Sequence, residues 1–301
     1  MNETAPIPGV LSRELRKPAR DDGPVLLVAS NGGARALPAL RKAAALAAER
    51  GGTLVCERIV DEGTPREGGE AALGAFSSEV EPLVAGRPIG CLAEVCRMSQ
   101  AYTDDEFGRA VTLADAATRH GATLIVIGVH GGSGGGRTLS TTMTEKLLKV
   151  APCPVLIVTG GEEGPYRRVL AAVDFSEVSL REMEAAMRFG PQAEMTVVHV
   201  AGGDDDPAAR EADLLEMART ARKNVERDAP DAPTIPDQNI SVRIMRGAPG
   251  DAINELVSEI GPDLLVLGTK GRTGLARLVL GSVATRFIAN PPSDLLVLRS
   301  V

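Results

Sequence analysis

The chain predicts a parallel, doubly wound α/β fold written twice, and three observations carry that reading. Short apolar runs alternate with segments of helical period along most of the 301 residues. The apolar stock is aliphatic: 44% of residues are hydrophobic, yet only 2% are aromatic and Trp is absent. Finally, two stretches align without gaps, 128–158 against 268–298. Aliphatic runs without alternation suit parallel strands covered by helices on both faces. Right-handed crossovers then fix the hand of each sheet. A chain of this length exceeds one ordinary core, so the expectation is two domains, 23–159 and 166–301.

Residues 1–22 mix Pro, Arg, Asp and Glu without periodicity and read as a mobile tail. Val25 to Ala29 is the opening strand of the first copy, and Leu37 to Ala48 an alanine-rich helix. Thr53 to Val60 and Gly90 to Met98 are the next strands, with a helix between them. Thr103 and Glu106 have capping spacing for a helix whose apolar face is Phe107, Ala110, Val111, Ala114 and Ala117. The strand Leu124 to Ile127, a glycine-rich loop, a helix and the strand Pro154 to Val158 complete the copy.

The run Gly-Gly-Glu-Glu-Gly-Pro at 160–165 is the hinge. Val169 to Val173 then forms a buried strand ending at Asp174. Ser179 and Glu182 have capping-box spacing at the start of a helix that runs to Gly190. Met195 to Val200 is the second strand. The acidic turn Asp204-Asp205-Asp206-Pro207 leads into a polar helix, Ala208 to Arg227. Ile240 to Arg246 is the third strand, followed by a helix with Ala252, Ile253, Leu256, Val257 and Ile260 on one face. Leu264 to Leu267, a loop, a helix from Leu278 to Ala289 and the strand Asp294 to Leu298 close the chain.

Composition narrows the function classes. The net charge is −7, with acidic side chains in excess in both halves and no basic stripe, which argues against a nucleic-acid partner. Cys56, Cys91, Cys96 and Cys153 form no Cys-x-x-Cys pair, and three His are too few to complete a zinc site. The first three lie in apolar strands and read as buried thiols. With neither a signal peptide nor an apolar run near ~20 residues, no membrane contact and a cytoplasmic location are expected.

One motif names a ligand chemistry. Gly268-Thr269-Lys270-Gly271 follows a buried strand, and nine residues later Gly281-Ser282 begins a helix. Glycines admit close backbone approach, and the free N–H groups and dipole of a helix start favour an anion such as phosphate. Ser282 reads as a phosphate contact or a cap. Lys270, Arg272 and Arg277 can screen phosphate charge. Asp174, at a strand's carboxyl end, either contacts the ligand or caps the next helix. His199 reads as a satisfied core histidine, and the three aspartates at 204–206 as a solvated turn rather than a metal cluster. Neither a Gly-x-x-x-x-Gly-Lys-Ser/Thr loop nor a Gly-x-Gly-x-x-Gly turn after a first strand is present.

The first copy keeps Gly128 and Gly131 but has Thr141 and Thr142 where the second has Gly281 and Ser282. Ser30 stands in place of Asp174. A Cβ at 141 obstructs backbone approach, so the first domain is expected to bind nucleotide weakly or not at all. The run 132–137 and His130 remain candidates for a different anion.

The strand followed by Gly268-x-x-Gly271-x(9)-Gly281-Ser282, with Val-Asp-Phe-Ser at 173–176 and Val198-His199-Val200, resembles the ATP-binding universal stress proteins. The resemblance covers nearly everything after the tail. It implies two tandem Rossmann-like domains of the adenine nucleotide alpha hydrolase type, each a five-stranded parallel sheet in order 3-2-1-4-5 flanked by helices. Ala172, Asp174 and Val200 would line the adenosine side. Leu267, Gly268, Lys270, Gly271, Arg272, Gly281 and Ser282 would surround ribose and phosphates. The cofactor expected is ATP with Mg²⁺ in the second domain, and the first becomes a structural or partner-contact half. Pairing of the two domains within one chain, a homodimer, and an unidentified protein partner are further expectations of the resemblance. A slow ATPase or nucleotidyl-transfer enzyme, or a nucleotide-free dimerisation scaffold, are the alternatives, and no catalytic base or metal ligand is named.

Overall fold

The computed structural model describes residues 10–17, 23–30, 36–61, 63–98, 104–129, 141–161, 163–203, 205–230, 235–269 and 280–299. The chain forms two compact units, Met1–Glu163 and Gly164–Val301.

In the first unit the elements are β1 (Val10–Arg16), β2 (Val25–Ala29), α1 (Leu37–Glu49), β3 (Thr53–Val60) and α2 (Arg66–Val84). They continue with β4 (Gly90–Arg97), α3 (Asp105–Arg119), β5 (Leu124–Gly128), α4 (Thr141–Val150) and β6 (Val155–Val158). The sheet runs β1-β4-β3-β2-β5-β6. Strands β2 to β6 are mutually parallel, and β1 alone is antiparallel to its neighbour. Leu26, Leu27, Val28, Ile125 and Val126 are fully buried at its centre. Each contributes about 1.5–3 kcal/mol relative to an exposed side chain.

Two expectations need correction here. Within the segment 1–22, expected to be a mobile tail, the described residues Val10–Arg16 form a strand: Val10 pairs with Cys96 and Glu14 with Leu92, with a register shift before Arg16. The first unit therefore has a sixth strand, and β1 covers the backbone edge that β4 would otherwise present to solvent. Leu11 of β1 lies over Gly69 of α2, where a side chain would leave it little room. The second correction concerns α3. Its cap is Asp104, whose Oδ1 accepts from the amides of Glu106 and Phe107 at 3.1 Å each. Glu106 Oε2 also accepts from Lys146 Nζ at 3.3 Å. Thr103 lies outside the described residues.

In the second unit the elements are β7 (Arg168–Val173), α5 (Ser179–Phe189), β8 (Glu194–Ala201), α6 (Pro207–Asp228) and β9 (Ile240–Arg246). Then come α7 (Pro249–Ile260), β10 (Leu264–Gly268), α8 (Ser282–Ala289) and β11 (Asp294–Leu298). Every pair of neighbours among β9-β8-β7-β10-β11 is parallel. The amino end of β7 is fastened by Asp263, whose carboxylate accepts from Arg167 N at 2.8 Å and Arg168 N at 3.0 Å. With the strand held there, its opposite end is fixed as the site edge. Gly261 closes α7 in the left-handed region at φ 58°, where a Cβ is disfavoured.

The four cysteines are free thiols, with Cys56 and Cys91 buried. Burial pushes Cys56 well up and Cys153 up to about 12, so both stay protonated at neutral pH. Among the described residues, no helix is long and apolar enough to cross a membrane.

A candidate nucleotide site at the carboxyl edge of the second unit

Register assembles the edge. Ala172 of β7 lies opposite Leu267 of β10 and Val198 of β8, and Val173 opposite His199. Asp174, Val200 and Gly268 therefore emerge together at the carboxyl ends of neighbouring strands, where parallel α/β sheets receive their ligands.

Asp174 is held in one orientation. Its Oδ1 accepts from Ser176 N at 3.0 Å and from Ser179 Oγ at 3.2 Å. The chain then turns through Phe175 at φ 60°, which among the described residues is the one non-glycine position with positive φ. That conformation costs of order 1–2 kcal/mol for an L-residue. Phe175 is retained there by its ring contacts. It meets His199 edge-on, with centroids 4.7 Å apart, and the Arg210 guanidinium stands 5.2 Å over it. Arg210 is itself fixed by Asp205, which accepts from Nε at 2.9 Å and from Nη2 at 2.8 Å.

Several polar atoms at this edge are buried and have no partner: Asp174 Oδ2, Ser176 Oγ, Glu182 Oε2 and His199 Nε2. An unpartnered buried polar atom costs about 1–3 kcal/mol, so such a cluster calls for donors and acceptors from elsewhere. His199 is largely the core histidine expected, with Nδ1 3.0 Å from the carbonyl oxygen of Val173. Glu182 departs from its expected role. Ser179 and Glu182 do not form a capping box, because position Val178 precedes the helix with no side-chain cap. Both side chains face inward instead, Ser179 to Asp174 and Glu182 into the core at 2% exposure. Burial first, and the charge of Asp174 second, raise the Glu182 carboxyl to about 8.

The glycine loop is anchored at both described ends. Thr269 N donates to Leu298 O at 2.8 Å, and Gly281 N donates to Thr269 O at 2.7 Å. The amide of Gly281 is thus engaged with protein, and its φ of −65° and ψ of 153° are open to any residue. What glycine offers at 281 is the missing Cβ. Ser282 opens α8 and is exposed, and the amides of the helix's first turn have no carbonyl of their own helix to donate to. Lys270, Gly271, Arg272 and Arg277 lie outside the described residues.

The first unit differs at the corresponding places. Ser30 occupies the position of Asp174, is buried, and donates its amide to Glu57 O at 2.9 Å. Val129 N bonds Val158 O at 2.9 Å, the counterpart of the Thr269 bond. His130, Gly131 and the run 132–137 lie outside the described residues.

The acidic turn is structural where described. Asp205 holds Arg210, and Asp206 caps α6 by accepting from Ala208 N at 3.1 Å. Among the described residues, no cluster of three His, Cys, Asp or Glu side chains could hold a metal ion.

Sequence reasoning missed Phe175, Arg210 and the inward role of Glu182. For Glu182 the signal was present: Ser179, Glu182, Met183 and Ala186 share the helical spacing of one buried face. Nothing local marks Arg210, whose partners Phe175 and Asp205 come from β-edge turns.

The model of the Universal stress protein family matches residues 106–159 and 165–299. A universal stress protein of Methanocaldococcus jannaschii is 30% identical over 153 residues, covering 48% of this chain and 87% of its own. One from Mycolicibacterium smegmatis is 28% identical over 217 residues, covering 69% of this chain and 72% of its own. Among solved structures, a universal stress protein from Archaeoglobus fulgidus superposes with a TM-score of 0.61 at 18% identity, over 91% of this chain and 98% of that one. That likeness is one of fold. Two matched segments, spanning most of the sequence, decide the matter: the chain belongs to the universal stress protein family.

Proposed function

We propose that the second unit binds an adenine nucleotide, ATP, at the carboxyl edge of its sheet, and that the protein acts as a cytoplasmic regulatory module read out through nucleotide occupancy. The observation that carries this reading is the pre-oriented Asp174, whose Oδ2 has no partner, with the unpartnered Ser176 Oγ beside it. An adenosine supplies amine, ring-nitrogen and hydroxyl groups of the kind those atoms lack. The nucleotide's phosphates would lie toward Gly268, the loop at 270–272, and the start of α8 at Gly281 and Ser282. There the missing Cβ and the first-turn amides favour an anion. Mg²⁺ would arrive with the triphosphate and be held by phosphate oxygens and water, the ordinary arrangement for this cation.

In the first unit Ser30 offers no carboxylate, and a threonine stands at 141. We assign that half no ATP site.

Calorimetric titration with ATP tests the assignment on the whole protein, on Asp174→Ala and on Gly281→Val. The backbone at 281 has φ and ψ that valine also adopts. Removing the carboxylate is expected to weaken binding by about tenfold or more, the value of a hydrogen bond to a charged group. Wild-type affinity in both variants would refute the site.

A further inference from the structure

The first unit buries a second polar centre within its own sheet. Ala29 pairs with Glu57 as Val173 pairs with His199, so Glu57 stands where the second unit has its histidine. It is 0% exposed, and neither carboxylate oxygen has a hydrogen-bond partner. Its register partner on β4 is Glu94, itself 4% exposed. Neighbouring parallel strands lie about 4.8 Å apart, so paired side chains on one face are in contact range.

The counter-charges are divided unequally. Glu94 Oε2 accepts from Arg119 Nη1 at 3.0 Å and lies 2.8 Å from His120 Nε2. Burial would raise the Glu94 carboxyl, but the His120 contact and the charges of His120 and Arg119 bring it below its ordinary value. Glu57 has no such partner. Two carboxylates cannot both ionise in a dry layer that compensates only one of them.

On the same face, Glu14 of the neighbouring β1 lies opposite Leu92 and is exposed. Cys96 of β4 lies near Glu57, and its thiol, pushed up to about 12, stays neutral. Cys56 points to the opposite face of β3, beside Cys91 of β4 and Glu79 of α2. No cation other than Arg119, with His120, is left to Glu57 from α3 or β4 among the described residues.

We propose that Glu57 and Glu94 form a proton-binding site, the proton residing on Glu57, which ties the packing of β3, β4 and α3 to pH and makes the first unit a proton-responsive element. Burial, then the Glu94 charge, raise the Glu57 carboxyl to about 8. Glu57 O receives the amide of Ser30 at 2.9 Å, which joins this part of β3 to the carboxyl end of β2.

The sign follows from linkage. A carboxyl whose folded value is raised stabilises fully below its unfolded value, and that stability is lost as pH rises through the folded one. Hydrogen exchange on the full chain, corrected for intrinsic rates, reads this as the opening constant of amides in β3 and β4. That constant is expected to rise toward tenfold per pH unit between about pH 5.5 and 7.5, and to level off above about 8. Glu57→Gln, the neutral isostere, should lose the slope, while His120→Gln should keep it. Infrared difference spectra of wild type against Glu57→Gln at pH 6.5 should show the carbonyl stretch of one protonated carboxyl. An unchanged slope in Glu57→Gln, absence of that band, or a Glu57→Gln chain that fails to fold at pH 6 would each overturn the proposal.

Discussion

Ser179 Oγ serves Asp174 twice: it accepts the Asp174 amide at 3.2 Å and donates to Asp174 Oδ1 at 3.2 Å. One hydroxyl on the first turn of α5 thereby fixes both the backbone and the rotamer of the acid that ends β7. Ser179→Ala removes both bonds without enlarging the side chain. The expected outcome is a loss of about 1 kcal/mol of stability per net hydrogen bond, with ATP affinity falling several-fold as Asp174 gains rotamers. Chemical denaturation and calorimetric titration measure the two effects separately. Full affinity in this variant would show that Asp174 needs no such support.

Glu182 gives the second unit its own pH dependence. Its carboxyl is raised to about 8 by burial and by Asp174, so its contribution is complete at low pH and lost as pH climbs toward 8. Each pH unit in that window removes about 1.4 kcal/mol per proton. Glu182→Gln is expected to match wild type only near pH 4, and its advantage to grow by about 3 kcal/mol between pH 6 and pH 9, since two units of slope separate those conditions. Urea midpoints of both proteins at the two pH values provide the check. Parallel pH profiles would mean that Glu182 is ionised throughout.

Phe175 sets backbone strain against ring contacts. Phe175→Ala keeps the left-handed backbone and loses the contacts with His199 and Arg210, each worth about 0.5–1.5 kcal/mol. Phe175→Gly loses the same contacts but relieves the strain. The alanine variant is therefore expected to be less stable than the glycine variant by about 1 kcal/mol, read from thermal or urea unfolding. The reverse order would place the turn outside the left-handed region.

What could be read from the sequence divides along physical lines. Central strands such as Leu264–Gly268 announced themselves because both faces are buried and every residue is apolar. β1 did not: as an edge strand its middle residues Ser12, Arg13 and Glu14 are exposed, and its charges mask the pairing. The glycine spacing after β10 located an anion-binding geometry, yet the bond from Gly281 N to Thr269 O depends on the closed loop and leaves no local mark. Ser179 and Glu182 were misread because the same spacing serves a capping box and an inward pair. Only the fold reveals which face turns to the sheet. Glu57 interrupts the run Thr53–Val60 as an ordinary polar residue would, and its isolation comes from Glu94, distant in sequence, taking the available counter-charge.

The antiparallel pairing of β1 makes the N-terminal stretch part of the first unit's framework. Cutting the chain before Val25 would strip β4 of its outer row of backbone partners and uncover Gly69 where Leu11 now rests. A bare strand margin of that kind seeks other strands, so the shortened protein would self-associate through β4.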